Sequence, residues 1–70
     1  MDGLRFGKYK HYKGDFYMVI DVAKHSETKE EAVIYRALKN LTLWVRSKRM
    51  FLEDVIVEGK KVPRFKFISH

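Results

Sequence analysis

Between His25 and Arg46 the chain gathers most of the side chains able to do chemistry. His25, Ser26, Glu27, Thr28, Lys29, Glu30 and Glu31 form a polar tract rich in ligand atoms. It leads into Val33, Ile34, Tyr35, Arg36, Ala37 and Leu38, and Trp44, Val45 and Arg46 follow shortly after. On a strand, successive residues face opposite sides of a sheet, so this order sets cations and hydrogen-bonding groups on one side and a core on the other. The pattern points to a binding surface.

His25, Glu27 and Glu31, with His11 brought near, offer the imidazole and carboxylate ligands that zinc, manganese or iron accept. Their spacing matches no ligand motif, and the plainer reading is a loop in which Ser26 and Thr28 cap backbone groups. We expect no metal and no cofactor, and keep His11, His25, Glu27 and Thr28 as polar loop residues open to ligand contacts. Nucleophilic catalysis fits less well. His25 and Ser26 are neighbours and so face opposite sides of a strand, the chain has no cysteine, and a small barrel can hardly preorganise a triad. No catalytic residue, and no enzyme, is expected.

Arg36 and Arg46 carry a sharper signal, because strands three and four must be neighbours and their guanidinium groups then lie across from each other. Paired with Glu27 or Glu31 they are structural. Unpaired, they converge on a phosphate or carboxylate through forked hydrogen bonds. With Lys48, Arg49 and Tyr35 they make up the candidate anion or nucleic-acid site. Trp44 and the tyrosines could stack on bases, but a small protein needs most of its aromatics inside. Trp44, Phe51 and Tyr17 are assigned to the core; Tyr9, Tyr12 and Tyr35 are expected to keep a hydroxyl in water.

The elements that must position these residues come from a chain of 70 residues, which has room for one domain over 1–70 and one core. Without cysteine there is no disulfide or thiolate zinc site, so stability rests on aromatic and β-branched packing or on oligomerisation. The composition, 46% hydrophobic and 14% aromatic, supplies the first. Tyr9–Tyr12 and Phe16–Lys24 flank Lys13, Gly14 and Asp15 as a hairpin. Both faces of the second strand are largely apolar, as for a strand inside a small curved sheet. Glu31–Leu38 is the third strand and Thr42–Arg46 the fourth, with Asn40 supplying αL in the turn between them. Ser47–Leu52 breaks the alternation, and Met50, Phe51 and Leu52 read as one 3₁₀ turn dropping large side chains over the open end of a barrel. Asp54–Val57 and Val62–Ile68 form the last strands around Glu58 and Gly59. The fold expected is all-β, an SH3-like small barrel of five or six short antiparallel strands with one 3₁₀ turn; no stretch supplies the helix of an OB-fold.

Fifteen Lys and Arg against nine Asp and Glu give a net charge of +6, which favours an anionic partner. From Arg36 to Arg49 there are cations and no acid. The plain alternative is a charge kept for solubility. No apolar run approaches the ~20 residues of a membrane span, and the order of Asp2 and Arg5 before the first strand is not that of a leader peptide. A cytoplasmic protein without membrane contact is expected.

Gly7, Tyr9, His11, Tyr12, Lys13, Gly14, Tyr17 and Val19, then Ala23, His25, Ser26, Glu27 and Thr28, then Val33, Tyr35, Arg36, Ala37 and Leu38, then Trp44, Val45, Arg46, Met50, Phe51, Pro63, Arg64 and Phe65 resemble, in order and over nearly the whole chain, the bacterial family known as domain of unknown function 1653. Lys29, Glu30 and Glu31 after Thr28, and Ser47 after Arg46, depart from its pattern, both at turns. The resemblance implies a bacterial SH3-like small barrel. It carries no activity, so no functional residue is transferred.

The leading expectation is therefore a non-catalytic binding module for an anionic partner, RNA or single-stranded DNA, on a face carrying Arg36, Arg46, Lys48 and Arg49. The rival is a protein-interaction module that takes a peptide on an edge strand or aromatic groove. A third reading is small-ligand or metal sensing at His25 and Glu27. Val62–Ile68, one strand more than a five-stranded barrel needs, sets Phe65 and Phe67 on one side and invites a homodimer through the C-terminal strand.

Overall fold

Short strands joined by tight turns fold back on one another until the last meets the first. A computed structural model describes residues 4–70; Asp2 lies outside them. The order is β1 (Gly7–His11), β2 (Phe16–Lys24), β3 (Glu31–Ala37), β4 (Leu43–Ser47), α1 (Lys48–Phe51), β5 (Asp54–Val57), β6 (Lys60–Pro63) and β7 (Phe65–Ser69). Five strands form one antiparallel sheet in the order β4-β3-β2-β1-β7, and β5-β6 is a separate hairpin. A four-strand meander, a helical turn and a final strand laid back on the first make the all-β, SH3-like arrangement that the sequence leads one to expect.

Seven strands stand where five or six were expected, because Val62–Ile68 is broken at Arg64 into the end of β6 and most of β7. Arg64 bends there: its N–H donates to the Glu53 carbonyl (3.0 Å), in line with the β5-β6 pairing, and its carbonyl accepts from Tyr12 N–H (3.0 Å), in line with the β1-β7 pairing, so the chain changes partner at this residue. β7 then pairs with β1, Phe67 opposite Tyr9 and Phe65 opposite His11. Its phenylalanines face the core, so the exposed aromatic strand expected to invite a homodimer is absent, while its outer backbone edge and the exposed Ile68 stay open. The 3₁₀ turn is instead a four-residue α-helix, N-capped by Ser47, whose Oγ accepts from Met50 N–H (3.2 Å). It lowers Phe51 wholly out of solvent, while Met50 and Leu52 stay partly exposed.

Phe51 lies parallel to Phe65 at 4.1 Å, and edge-on to Tyr9 (5.2 Å) and Tyr35 (5.3 Å), making one continuous ring cluster above Val19 and Val33. Rings at these separations add to the burial of apolar area. A bulge at Ile20 shifts the β2-β3 register, so Val22 rather than Asp21 follows Val19 on the core side, opposite Val33. That single residue explains why both faces of β2 read as apolar. In the β3-β4 turn Leu41, not Asn40, has φ of 61°. Asn40 serves through its side chain, whose Oδ1 accepts from Thr42 N–H at 3.1 Å.

Gly7 fixes the closure of β1 on β7. Its φ is +141°, and a Cβ there would overlap the Ser69 carbonyl oxygen and lie 2.8 Å from the His70 Cα. Only glycine allows the two backbones to approach so closely.

Candidate functional site

Register decides which side chains share a face. Arg46 lies opposite Val33 and Trp44 opposite Tyr35, whereas Arg36 lies opposite Leu43. Arg46 and Trp44 therefore look inward with Val33 and Tyr35, and Arg36 looks outward. The two arginines expected to converge sit on opposite sides of the sheet. Arg36 donates from Nη1 to the Leu41 carbonyl (2.6 Å), bracing the turn that holds Leu41 in the left-handed region.

Lys48 and Arg49 meet acids. Lys48 Nζ lies 3.0 Å from Glu31 Oε1, and Arg49 Nη2 lies 3.6 Å from Glu30 Oε2. The interval free of acids in sequence is matched in space by carboxylates from the start of β3 and the loop before it. The Lys48 side chain is only 13% exposed, so its partner is Glu31 more than solvent.

The polar loop is built around His25. Its Nδ1 accepts from Glu27 N–H (3.2 Å) and Thr28 N–H (3.4 Å), and Thr28 Oγ1 accepts from Glu30 N–H (3.2 Å). The expected cap is there, made by His25 and Thr28 with no Ser26 contact among these bonds. His11 stands at the opposite end of β2 from His25. Among the described residues no three of His, Asp and Glu gather to hold a metal ion.

What the fold does bring together lies around His11, at the end of β1. Its ring meets Phe65 (4.9 Å), Tyr12 (4.6 Å) and Tyr17 (6.1 Å), and Tyr17 meets Tyr35 (5.4 Å). Arg46 Nε reaches the Tyr35 hydroxyl at 3.4 Å. Arg64 donates from Nη2 to Glu53 Oε1 (3.3 Å), while its Nε is buried and meets no acceptor among the described residues. A shielded guanidinium N–H without a partner is costly, and natural structures rarely leave one.

His11 reports the local field. Burial pushes its pKa below the usual histidine value, and the positive charges of Arg64, Lys13 and Arg46 push the same way against the single opposing carboxylate of Asp15. Its Nδ1 accepts from Lys13 N–H (3.1 Å), so the neutral ring keeps its proton on Nε2. Cations from β4, the β1-β2 turn and the β6-β7 bend thus act on one point of the barrel mouth.

Trp44 is 50% exposed, against its assignment to the core. Two of the three tyrosines expected to reach water do not: Tyr9 and Tyr35 are buried, while Tyr12 is exposed as expected. Tyr9 spends its hydroxyl on Arg5, donating to the carbonyl (2.6 Å) and accepting from the N–H (3.1 Å). The reason is topological. β3 has a strand on each side, while β4 is an edge strand with no strand beyond it among the described residues, so the inward ring on β3 is covered and the inward ring on β4 is not. Of this cluster, Tyr35, Arg46 and His11 were legible as candidate site residues in the sequence. Arg64 and Tyr17 were not, and for Arg64 the one local signal is a cation beside Phe65 in an alternating run.

A family model described as "Protein of unknown function (DUF1653)" matches residues 7–67. A crystal structure of a protein belonging to the same family from Bordetella bronchiseptica is similar at 36% identity with a TM-score of 0.88, over 100% of this chain and 94% of that one. No curated protein matches the chain.

Proposed function

This chain belongs to the DUF1653 family of proteins of unknown function, and on that footing we propose that it is a non-catalytic module that binds single-stranded RNA or DNA on the inner face of β4. The observation that carries the reading is the pairing, on that face, of a half-exposed Trp44 with Arg46, beside the cations acting on His11. A flat indole open to solvent offers a stacking platform for a base, and guanidinium groups nearby offer forked donors to phosphate. Lys48 and Arg49, matched by Glu31 and Glu30, leave the proposed contact set, and Arg36 supports the fold.

Trp44 is the one tryptophan of the chain, so its fluorescence reads the site directly. Titration with a short single-stranded oligonucleotide is expected to quench it, with log affinity falling linearly against log salt. No change at low salt with either RNA or DNA overturns the reading.

A second reading has its own observation. Leu43 is 53% and Val45 63% exposed on the outer face of β4, whose free edge offers unpaired backbone groups. A peptide adding a strand there would bind through main-chain hydrogen bonds and apolar contacts, with little dependence on salt.

A further inference from the structure

We propose that the groove between the β5-β6 hairpin and the outer side of β1 and β7 is a slot for one nucleobase of the bound strand, with the adjoining phosphate held between Lys10 and Lys66. The proposal rests on the reading of the chain as a single-strand binder.

The groove follows from the topology. β5-β6 is not part of the five-stranded sheet, and the bend at Arg64 carries it past the end of β1, leaving a space of about 400 Å³. That is within the range of sites that enclose small ligands. Val57, Val62 and Pro63 line one side of it. Tyr12 and His11 line another, their rings 4.6 Å apart and tilted by 30°, a surface on which a planar ring can lie.

The charge in the groove meets no carboxylate among the described residues, and the Lys10 ammonium has only the Phe16 ring, 5.8 Å from its centroid, beside it. Lys10 and Lys66 are direct cross-strand partners on β1 and β7, and both line the space. Like charges placed opposite each other destabilise a sheet, and among the described residues no carboxylate pairs with either. An anion between them turns that repulsion into two attractions. An apolar, ring-lined slot with a cationic rim matches a nucleotide in shape and in charge: base inside, phosphate at the lip. A peptide carboxylate would satisfy the rim and leave the ring surface without a use. His11 joins the slot to the inner face, because its ring lines the groove and also meets Tyr17 and Phe65, so one strand can run from Trp44 past His11 into the slot.

The test is an NMR titration of the wild-type protein, with labelled valine methyls and the Trp44 indole N–H observed together. The probes are a single-stranded uridine hexanucleotide, uridine monophosphate and inorganic phosphate. The expected result is that the hexanucleotide shifts the Val57 and Val62 methyls along with the Trp44 signal, that the monophosphate shifts the same methyls, and that phosphate alone leaves them in place. Tyr12→Ala should then weaken hexanucleotide binding at least fivefold. Lys10→Ala with Lys66→Ala should flatten the salt slope by about one unit for the phosphate lost. A hexanucleotide that shifts Trp44 and not the methyls overturns the slot and leaves the single-strand reading standing. Methyl shifts equal with phosphate alone overturn it as a base site. Absence of any shift overturns both.

Discussion

The end of the barrel closed by α1 and the inner face of β4 are made of similar residues, large rings beside cations, and use them in opposite ways. At α1, Phe51 is wholly buried against Phe65 and Tyr35, and Lys48 and Arg49 are matched by Glu31 and Glu30. On β4, Trp44 is half in solvent and Arg46 meets a tyrosine hydroxyl in place of a carboxylate, while Arg64, though ion-paired with Glu53, keeps a buried Nε–H that meets no acceptor among the described residues. Residue type is the same in both places; cover and counter-charge differ. A ring that is covered and a cation that is matched hold the fold together, while a ring and cations left open have interactions still to make.

The difference is largest in stability. Phe51→Ala should cost about 3–5 kcal/mol, the range for truncating a buried aromatic, which is much of what a domain of this size has. Trp44→Ala should cost about 1–2 kcal/mol, because only part of its surface leaves water on folding. Urea unfolding of the two variants compares them directly. A Trp44→Ala protein as damaged as Phe51→Ala would return Trp44 to the core and erase the contrast.

In binding the order reverses. Loss of a stacked base should cost Trp44→Ala about 1–3 kcal/mol in affinity for a single-stranded oligonucleotide, measured by polarisation of a labelled strand because the intrinsic signal is gone. Conservative Trp44→Phe should keep most of it. Equal affinities for Trp44→Ala and wild type would mean that the open ring is no platform.

A smaller effect separates the two sets of cations. Arg46→Ala should flatten the slope of log affinity against log salt by about one unit, whereas Lys48→Ala with Arg49→Ala should leave it unchanged. The double variant should also fold almost normally, since exposed ion pairs contribute about 0–1 kcal/mol, although the more enclosed Lys48 pair sits at the upper end. A slope that falls by two units in the double variant would move the contact surface to α1.

Much of the architecture could be read from local pattern. The turn at Lys13, Gly14 and Asp15, the long second strand and the helical turn over Phe51 depend on residues close in sequence, and all three are present. Failures arose where position depends on a distant partner. The bulge at Ile20 is visible only against β3, and the break at Arg64 only against Glu53 and Tyr12. Arg36 and Arg46 were expected on one face because the turn between their strands was known and the register was not; a three-residue offset sends them apart. Lys48 looked free because Glu31 lies seventeen positions away. Charge runs in a sequence therefore say little of surface potential until the sheet is assembled.

The last effect is the smallest and joins the two ideas in one residue. The pKa of His11 is held below its usual value by burial and by Arg64, Lys13 and Arg46, with Asp15 opposing. In the unfolded chain it returns to about 6.5. As pH falls from about 6.5 toward the lower folded value, the unfolded state takes up a proton that the folded state refuses, so stability declines in that window and is level above it. A bound phosphate reverses the local field and raises the His11 pKa, so binding takes up a proton and affinity should rise over the same window. Stability and affinity of the wild type are then expected to move in opposite directions between pH 7 and pH 5, and both trends should weaken in His11→Gln. Thermal melts and polarisation titrations across that range measure the two. Affinity that falls on acidification in parallel with stability would mean that no anion sits near His11.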